Sequence, residues 1–294
     1  MSQKKISLGI TAFIDVLGFS DRVLSAEKKT DVDAITNDIR KIQSEFEYKP
    51  KDKFTKKIHS SCKKTVLAFS DSVIVHVPLE SERTKIQGTF DPFMDELSGM
   101  AISQCCCVNS GFFLRGGVDL GWWYRRGSTL VSQSMVGAYK CENRANVPII
   151  ALTDRLYQFL SKHKHRIFYS EDIEPVRQSL RFYCNGSDSF WYLDYIAIFA
   201  DEIGWNTSPS QQESFRIAAP DEKQKIINEG RMTNLTTWFT HHARTVERAY
   251  QQAERAYKQA KNDHVKKKYE WLASYHNEIA PKYTVSAECL CKLK

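Results

Sequence analysis

The chain has 294 residues and a hydrophobic fraction of 42 %, and its 16 Phe, 13 Tyr and 6 Trp exclude disorder as the main state. A formal net charge of +7 suits a protein whose ligand carries phosphates and is as ordinary for one without such a ligand. No apolar run approaches the roughly 18 residues that span a bilayer, and the start, MSQKKISLGITAF, lacks an apolar stretch leading to a small-residue cleavage site, so a cytoplasmic protein with no membrane partner is expected.

Residues 6–17, ISLGITAFIDVL, form an apolar, β-branched run broken by one acid, Asp15, and predict a buried strand. A polar, helix-compatible stretch runs from about Ser20 to Phe46, followed by a Lys-rich loop, KPKDKFTKK. Residues 64–77, KTVLAFSDSVIVHV, predict two strands joined by a tight turn at Ser70-Asp71-Ser72, with Pro78 ending the second. Residues 91–110 carry helical spacing in Phe93, Leu97, Met100, Ala101 and Cys105. A strand over 112–119, further strand around Gly127, a helix over 134–145, a short strand in ANVPIIAL and a helix over 153–162 follow. The order is βαββαβ, that of a ferredoxin-like α+β sheet.

The C-terminal third changes character. Residues 200–222 are rich in Ser, Pro, Gln and Gly and predict a linker, and from Leu235 through Trp238, Phe239, Val246, Ala249, Tyr250, Ala253 and Tyr257 to Ala260 the apolar period is helical. The expected organisation is a domain over 1–200 and a helical extension over 201–294. Lys266-Lys267-Lys268 reads as a solvated face, and no nucleic-acid partner is expected. The eight cysteines read as free thiols: Cys105-Cys106-Cys107 are adjacent, Cys62, Cys141 and Cys184 sit among apolar residues, and Cys289-x-Cys291 has no second pair to complete a metal site. His163, His165, His241 and His242 have no metal-ligand context and read as surface residues.

Two acids on sheet elements carry the chemistry. Burying Asp15 in FIDVLGF is costly unless its charge is paired or bound to metal, whereas Asp71 in FSDSV is a cheap turn residue. The first strand and the following hairpin are central neighbours in a βαββαβ sheet, so the two acids can converge. Hard carboxylates without a neighbouring thiol or imidazole favour Mg²⁺ or Mn²⁺, and a two-metal clamp suits phosphoryl transfer. Taken singly, Asp15 is equally well a buried acid paired with an Arg, and Asp71 an ordinary turn residue. Gly18 and Ser20 open the next helix, where free backbone N–H groups can hold phosphate oxygens, although Ser20 is also an ordinary N-cap. GxSxG, P-loop and GxGxxG motifs are absent.

In order, FIDVLGFSD, FSDSVIV, LRGGVDLGWWY and AYKCENRANVPIIAL resemble the core of class III nucleotidyl cyclases, and more narrowly the Pycsar pyrimidine cyclases of bacterial anti-phage defence, over about residues 8–155. KKKYEWLASYHN is similar to the tail of that group. The resemblance implies a lyase that converts UTP to 3′,5′-cyclic UMP and pyrophosphate, a diffusible signal for a separate effector. The alternatives are a cytidylate cyclase and a cyclase-like nucleotide sensor without turnover. It implies two Mn²⁺ or Mg²⁺ ions per site on Asp15, Asp71 and the carbonyl of Ile14, a phosphate-binding turn at Gly18, Phe19 and Ser20, and a homodimer with composite active sites.

Purine-using relatives usually carry Gly before the second Asp, where Ser70 stands here, and a purine-reading Lys or Glu where Leu67 stands; their helical Asn and Arg fall on Val136 and Lys140. A replacement cation for the transition state is therefore sought among Lys140, Arg144, Arg126 and Arg115. Arg115 is favoured, because an arginine in an apolar strand must find an anion, with a salt bridge to Asp119 or another core acid as the competing role. Arg115-Gly116-Gly117 reads as fold geometry, and Trp122-Trp123-Tyr124 as core or dimer interface, with interface preferred, ahead of a base-stacking platform.

Overall fold

A computed structural model describes residues 6–47, 52–186, 188–205, 208–260 and 263–293. It contains β1 (Ser7–Val16), α1 (Phe19–Leu24), α2 (Lys29–Glu47), α3 (Lys53–Ser61), β2 (Thr65–Phe69), β3 (Ser72–Pro78), α4 (Glu82–Gln87), α5 (Phe90–Asn109), β4 (Leu114–Arg126), β5 (Thr129–Ser132), α6 (Gln133–Ala145), β6 (Ile150–Leu152), α7 (Asp154–Ser161), α8 (Pro175–Ser179), β7 (Leu180–Asn185) and β8 (Asp188–Leu193). The helices α9 (Tyr195–Glu202), α10 (Pro209–Ile217), α11 (Pro220–Ala260) and α12 (His264–Ile279) complete the chain. It divides into two compact units, Met1–Tyr195 and Ile196–Lys294.

In the first unit the described strands form one mixed sheet in the order β2-β3-β1-β4-β6-β8-β7, with β5 on β4. Its β2-β3-β1-β4 part is antiparallel throughout, with β1 in the centre, which is the ferredoxin-like arrangement of an α+β fold. Register separates the two faces, because alternate residues of a strand point to opposite sides. Ile10, Ala12 and Ile14 of β1, Val73, Val75 and Val77 of β3, and Leu114 and Val118 of β4 share one face and are buried. The apolar sides of α2 (Ile42, Phe46) and α5 (Phe93, Leu97, Met100) complete that core.

The opposite face carries Thr11, Phe13 and Asp15 beside His76, Ile74 and Ser72 of β3 and Asp119, Gly117 and Arg115 of β4. Helix α6 lies on it. Gly117 makes this possible: a Cβ there would meet the Ala138 carbonyl oxygen at 2.1 Å and the Cys141 Cβ at 2.8 Å. The start of α6 is pinned by Ser132, whose Oγ accepts from Met135 N at 3.0 Å, and by a buried chain from Ser132 through Ser134 and Thr11 to His76. His76 stacks on Trp123 with ring centroids 4.4 Å apart, and burial holds its pKa down to about 4, so the imidazole is neutral. We therefore expect Gly117→Ala to destabilise the protein by about 1–3 kcal/mol, because helix backbone must move; an unchanged urea midpoint would show that α6 is not seated so closely.

Several expectations are corrected. Pro209 and Pro220 each open a helix, since the first turn needs no N–H from them, so α10 and α11 occupy much of the expected linker; residues 206–207 lie outside the described residues. The Lys-rich loop becomes helix α3 from Lys53, and its residues 49–51 lie outside the described residues. The β7–β8 hairpin was not expected, although aromatic runs flank Asn185-Gly186, with Gly186 at φ 61°, a recognisable hairpin signal. Cys184 is exposed, whereas Cys62 and Cys141 are buried, and all eight cysteines are free. Of the two roles read for Trp123, core and interface, the structure gives it the core one, buried against His76 of its own chain, and not the preferred interface.

The second unit is helical. Leu235, Trp238, Phe239, Val246, Ala249, Tyr250 and Ala253 are buried along α11, whereas Tyr257 is exposed and the Ala260 side chain lies outside the described residues. His242 is not a surface residue. It is fully buried and stacks on His276, with centroids 4.9 Å apart and Nδ1 atoms 2.9 Å apart. Burial and His276 hold its pKa well below the ordinary value, so it packs as a neutral ring.

Candidate active site

Asp15 comes near the end of β1 and Asp71 sits in the β2–β3 turn. The β1–β3 register sets Asp15 opposite Ser72, the residue after Asp71, and this brings the two carboxylates together. The turn is tight: Ser70 has φ 54°, in the left-handed region that glycine occupies without steric cost. A serine there holds the same turn that a glycine would make.

Across the other side of β1, Asp15 faces Arg115 of β4. Arg115 Nη2 lies 3.7 Å from Asp15 Oδ2 and is also paired with Glu142, the one acid of α6. The competing role of Arg115, a salt bridge to Asp119 or another core acid, is therefore met by Glu142 and Asp15 and not by Asp119. Asp119 is instead taken by Arg155, Thr153 Oγ1 (2.5 Å) and Leu120 N (2.8 Å). Four strand positions separate Arg115 from Asp119, about 13 Å along the chain, more than an arginine side chain spans.

The site is electrostatically loaded. Burial raises the Asp15 pKa from an ordinary 3.8 to about 6; repulsion from Asp71 and Glu142 adds to this, Arg115 works against it, and a side-chain hydrogen bond with Asp71 raises it further. A part-buried carboxylate whose ionisation is opposed by a second one beside it fits a hard divalent cation, and the donors of the pair are all oxygen. Among the described residues, no group of three or more His, Cys, Asp or Glu is placed to hold a metal, so Glu142 does not complete a ligand set.

The other expected residues fall as follows. Ile14 is buried, on the opposite face of β1 from Asp15. Gly18, at φ 76°, is the N-cap of α1, so Ser20 is not the cap but an exposed residue inside the helix; Phe19 is buried. Lys140 and Arg144 are exposed on α6 and, with Arg155, Asp119, Thr153 and Asp154, line a cavity of about 510 Å³. Arg144 also donates to the Ser189 carbonyl at 3.2 Å. Arg126 ends β4, eleven residues from Arg115 and so about 36 Å along the strand. Leu67 is half-buried on the α6 side, in register with Ile74, and Tyr139 of α6 meets Phe13 edge-on at 5.3 Å. Glu142 is the site residue that sequence reasoning missed; an acid in the middle of the apolar stripe of a helix was its only signal.

No family model matches this chain and no curated protein matches it. Among solved structures it is similar to a bacterial light-regulated adenylyl cyclase, at 13 % identity and a TM-score of 0.36 over 66 % of this chain and 95 % of that one. It is also similar to the catalytic core of a rhodopsin-guanylyl cyclase with converted specificity in complex with ATPalphaS, at 14 % identity and a TM-score of 0.40 over 65 % of this chain and 98 % of the other. A class III adenylyl cyclase-like ATP-binding protein from Pseudomonas aeruginosa matches at 14 % identity and a TM-score of 0.32, over 77 % of this chain and 43 % of that protein. At these values the likeness assigns no activity to this chain. Among the described residues no helix is long and apolar enough to cross a membrane.

Proposed function

We propose that this chain is a metal-dependent nucleotidyl cyclase that converts UTP to 3′,5′-cyclic UMP and pyrophosphate. The observation that carries the reading is the Asp15–Asp71 pair, two carboxylates held together by β1 and the β2–β3 turn at the cost of a raised Asp15 pKa. In this reading Asp15, Asp71 and the Ile14 carbonyl hold two Mn²⁺ or Mg²⁺ ions. When bound, the ions acidify the 3′-hydroxyl and neutralise the triphosphate. The 3′ oxygen, its proton released to solvent, would attack the α-phosphorus as the bond from that phosphorus to the bridging oxygen breaks and pyrophosphate leaves. Gly18, Phe19 and Ser20 receive the phosphates at the start of α1.

Arg115 stands beside the carboxylates and keeps its candidacy as the cation that meets charge developing on the triphosphate. Lys140 lines the α6 cavity and is assigned to nucleotide binding, from the second protomer of a homodimer with composite sites. The pyrimidine preference rests on Leu67, which offers an apolar surface where a purine reader would need a polar group. The role in anti-phage signalling, through an effector that receives the cyclic nucleotide, rests on the sequence resemblance.

Incubation of the purified protein with each of the four NTPs and Mn²⁺, with products identified by mass, tests the reading. Cyclic UMP from UTP is expected, with no product in EDTA. Cyclic CMP from CTP alone would move the preference to cytidine, and cyclic AMP or cyclic GMP alone would overturn the pyrimidine assignment. No cyclic product from any NTP would point to a nucleotide-binding protein without turnover.

A further inference from the structure

The pairing of Arg115 with two acids in one protomer raises a question of charge. A guanidinium 3.7 Å from Asp15 competes with any cation that the carboxylates would hold. Asp15 and Asp71 with Arg115 alone carry a net charge of about −1, and Glu142 returns it to about −2. Glu142 is also placed to fix where the guanidinium sits. Its side chain is 2 % exposed, against 18 % for Arg115 and 22 % for Asp15, so of the three it lies deepest beneath the helix. Arg115 Nε is buried and has no hydrogen-bond partner among the described residues, and Nη2 is the atom that Asp15 and Glu142 share. The helix can bring Glu142 this low only because residue 117 is glycine: a Cβ there would lie 2.7 Å from the Glu142 backbone nitrogen.

We infer that Glu142 is a positioning residue for the metal site, holding the Arg115 guanidinium off Asp15 and keeping the Asp15–Asp71 pair negative enough to bind a divalent cation. The inference rests on the metal-site reading proposed above and adds to it a residue that touches neither metal nor nucleotide. Without Glu142, Arg115 has Asp15 as its remaining partner and closes on it, and the cation must displace a salt bridge to bind.

The test is calorimetric titration of Mn²⁺ into nucleotide-free protein, which needs no turnover. Glu142→Gln, close in shape and without charge, is expected to weaken Mn²⁺ binding about tenfold or more, the range seen when a residue that orients a metal ligand is lost. The double variant Glu142→Gln/Arg115→Gln removes both charges, restores a net charge of about −2, and is expected to recover most of the lost affinity. A role in packing alone would not give that recovery.

Wild-type affinity in folded Glu142→Gln overturns the inference while leaving the metal site standing. Should Glu142→Gln fail to fold, the double variant decides alone: near wild-type affinity supports the inference, and affinity as low as that of Asp71→Asn overturns it. Absence of Mn²⁺ binding in the wild-type protein overturns the inference and the metal-site reading together, and the same titration tells that result from the others.

Discussion

Asp15→Asn and Asp71→Asn should each lower metal-dependent cyclisation by roughly 10²–10³-fold or more, because a metal pair supplies several kcal/mol of charge stabilisation and each 1.36 kcal/mol is a factor of ten. The far-ultraviolet circular dichroism should not change, since neither side chain belongs to the buried apolar face of the sheet. Stability should separate the two roles of Asp15. Its folded-state pKa of about 6 lies above the ordinary 3.8, so the ionised carboxylate opposes folding. That opposition is complete above pH 6, fades as the pH falls from 6 to 3.8, and is absent below. Metal-free Asp15→Asn is therefore expected to melt above wild type at pH 7.5 and together with it near pH 4. For a part-exposed carboxylate the gain is on the order of 1 kcal/mol after solvent screening, or about 2–4 °C in Tm. Saturating Mn²⁺ should reverse the order, because only the wild-type protein gains stability from the ion. Wild-type turnover in either variant, with unchanged metal dependence, would make both acids structural.

Restoration of activity from two inactive parents is the second large effect expected. As proposed, each active site of the homodimer takes its carboxylates from one protomer and its α6 groups from the other. Asp71→Asn is dead in the first half and Lys140→Ala in the second. A heterodimer of the two holds one doubly defective site and one intact site, and its turnover should return to about half that of wild type, as two-fold symmetry requires. The placement of the residues makes the test clean: Asp71 lies in the β2–β3 turn, whereas Lys140 is exposed on α6 and lines the 510 Å³ cavity with Arg144 and Arg155. Co-expression with two different tags isolates the heterodimer. If Lys140→Ala is active by itself, Arg144 or Arg126 takes its place in the pairing. A purified heterodimer that stays dead for every such pairing would place all catalytic groups in one chain and end the shared-site reading.

What can be read without the structure is what depends on neighbours in sequence. β1 and β3 are legible because short runs rich in β-branched residues and bounded by turn residues favour strands, and α5 because its apolar residues repeat at helical spacing. The βαββαβ order follows from those elements, and with it the meeting of Asp15 and Asp71, since β1 and the β2–β3 hairpin can only be neighbours in such a sheet. Leu67 and Ser70 are likewise legible as departures from a pattern, being fixed positions in a short hairpin.

The structure alone decided the pairings between distant elements. Arg115 was certain to need an anion, but which one depended on how low α6 sits, and Gly117 controls that by leaving no Cβ in the way. Asp119, one of the acids considered for it, lies on the same strand face and is claimed by Arg155, brought there by α7 from 36 residues away. His242 looks polar and exposed in the sequence, yet stacking on His276 across two helices buries both rings in neutral form. In each case the free energy that settles the matter comes from desolvation and from one specific contact, and both depend on packing that no local stretch of sequence encodes.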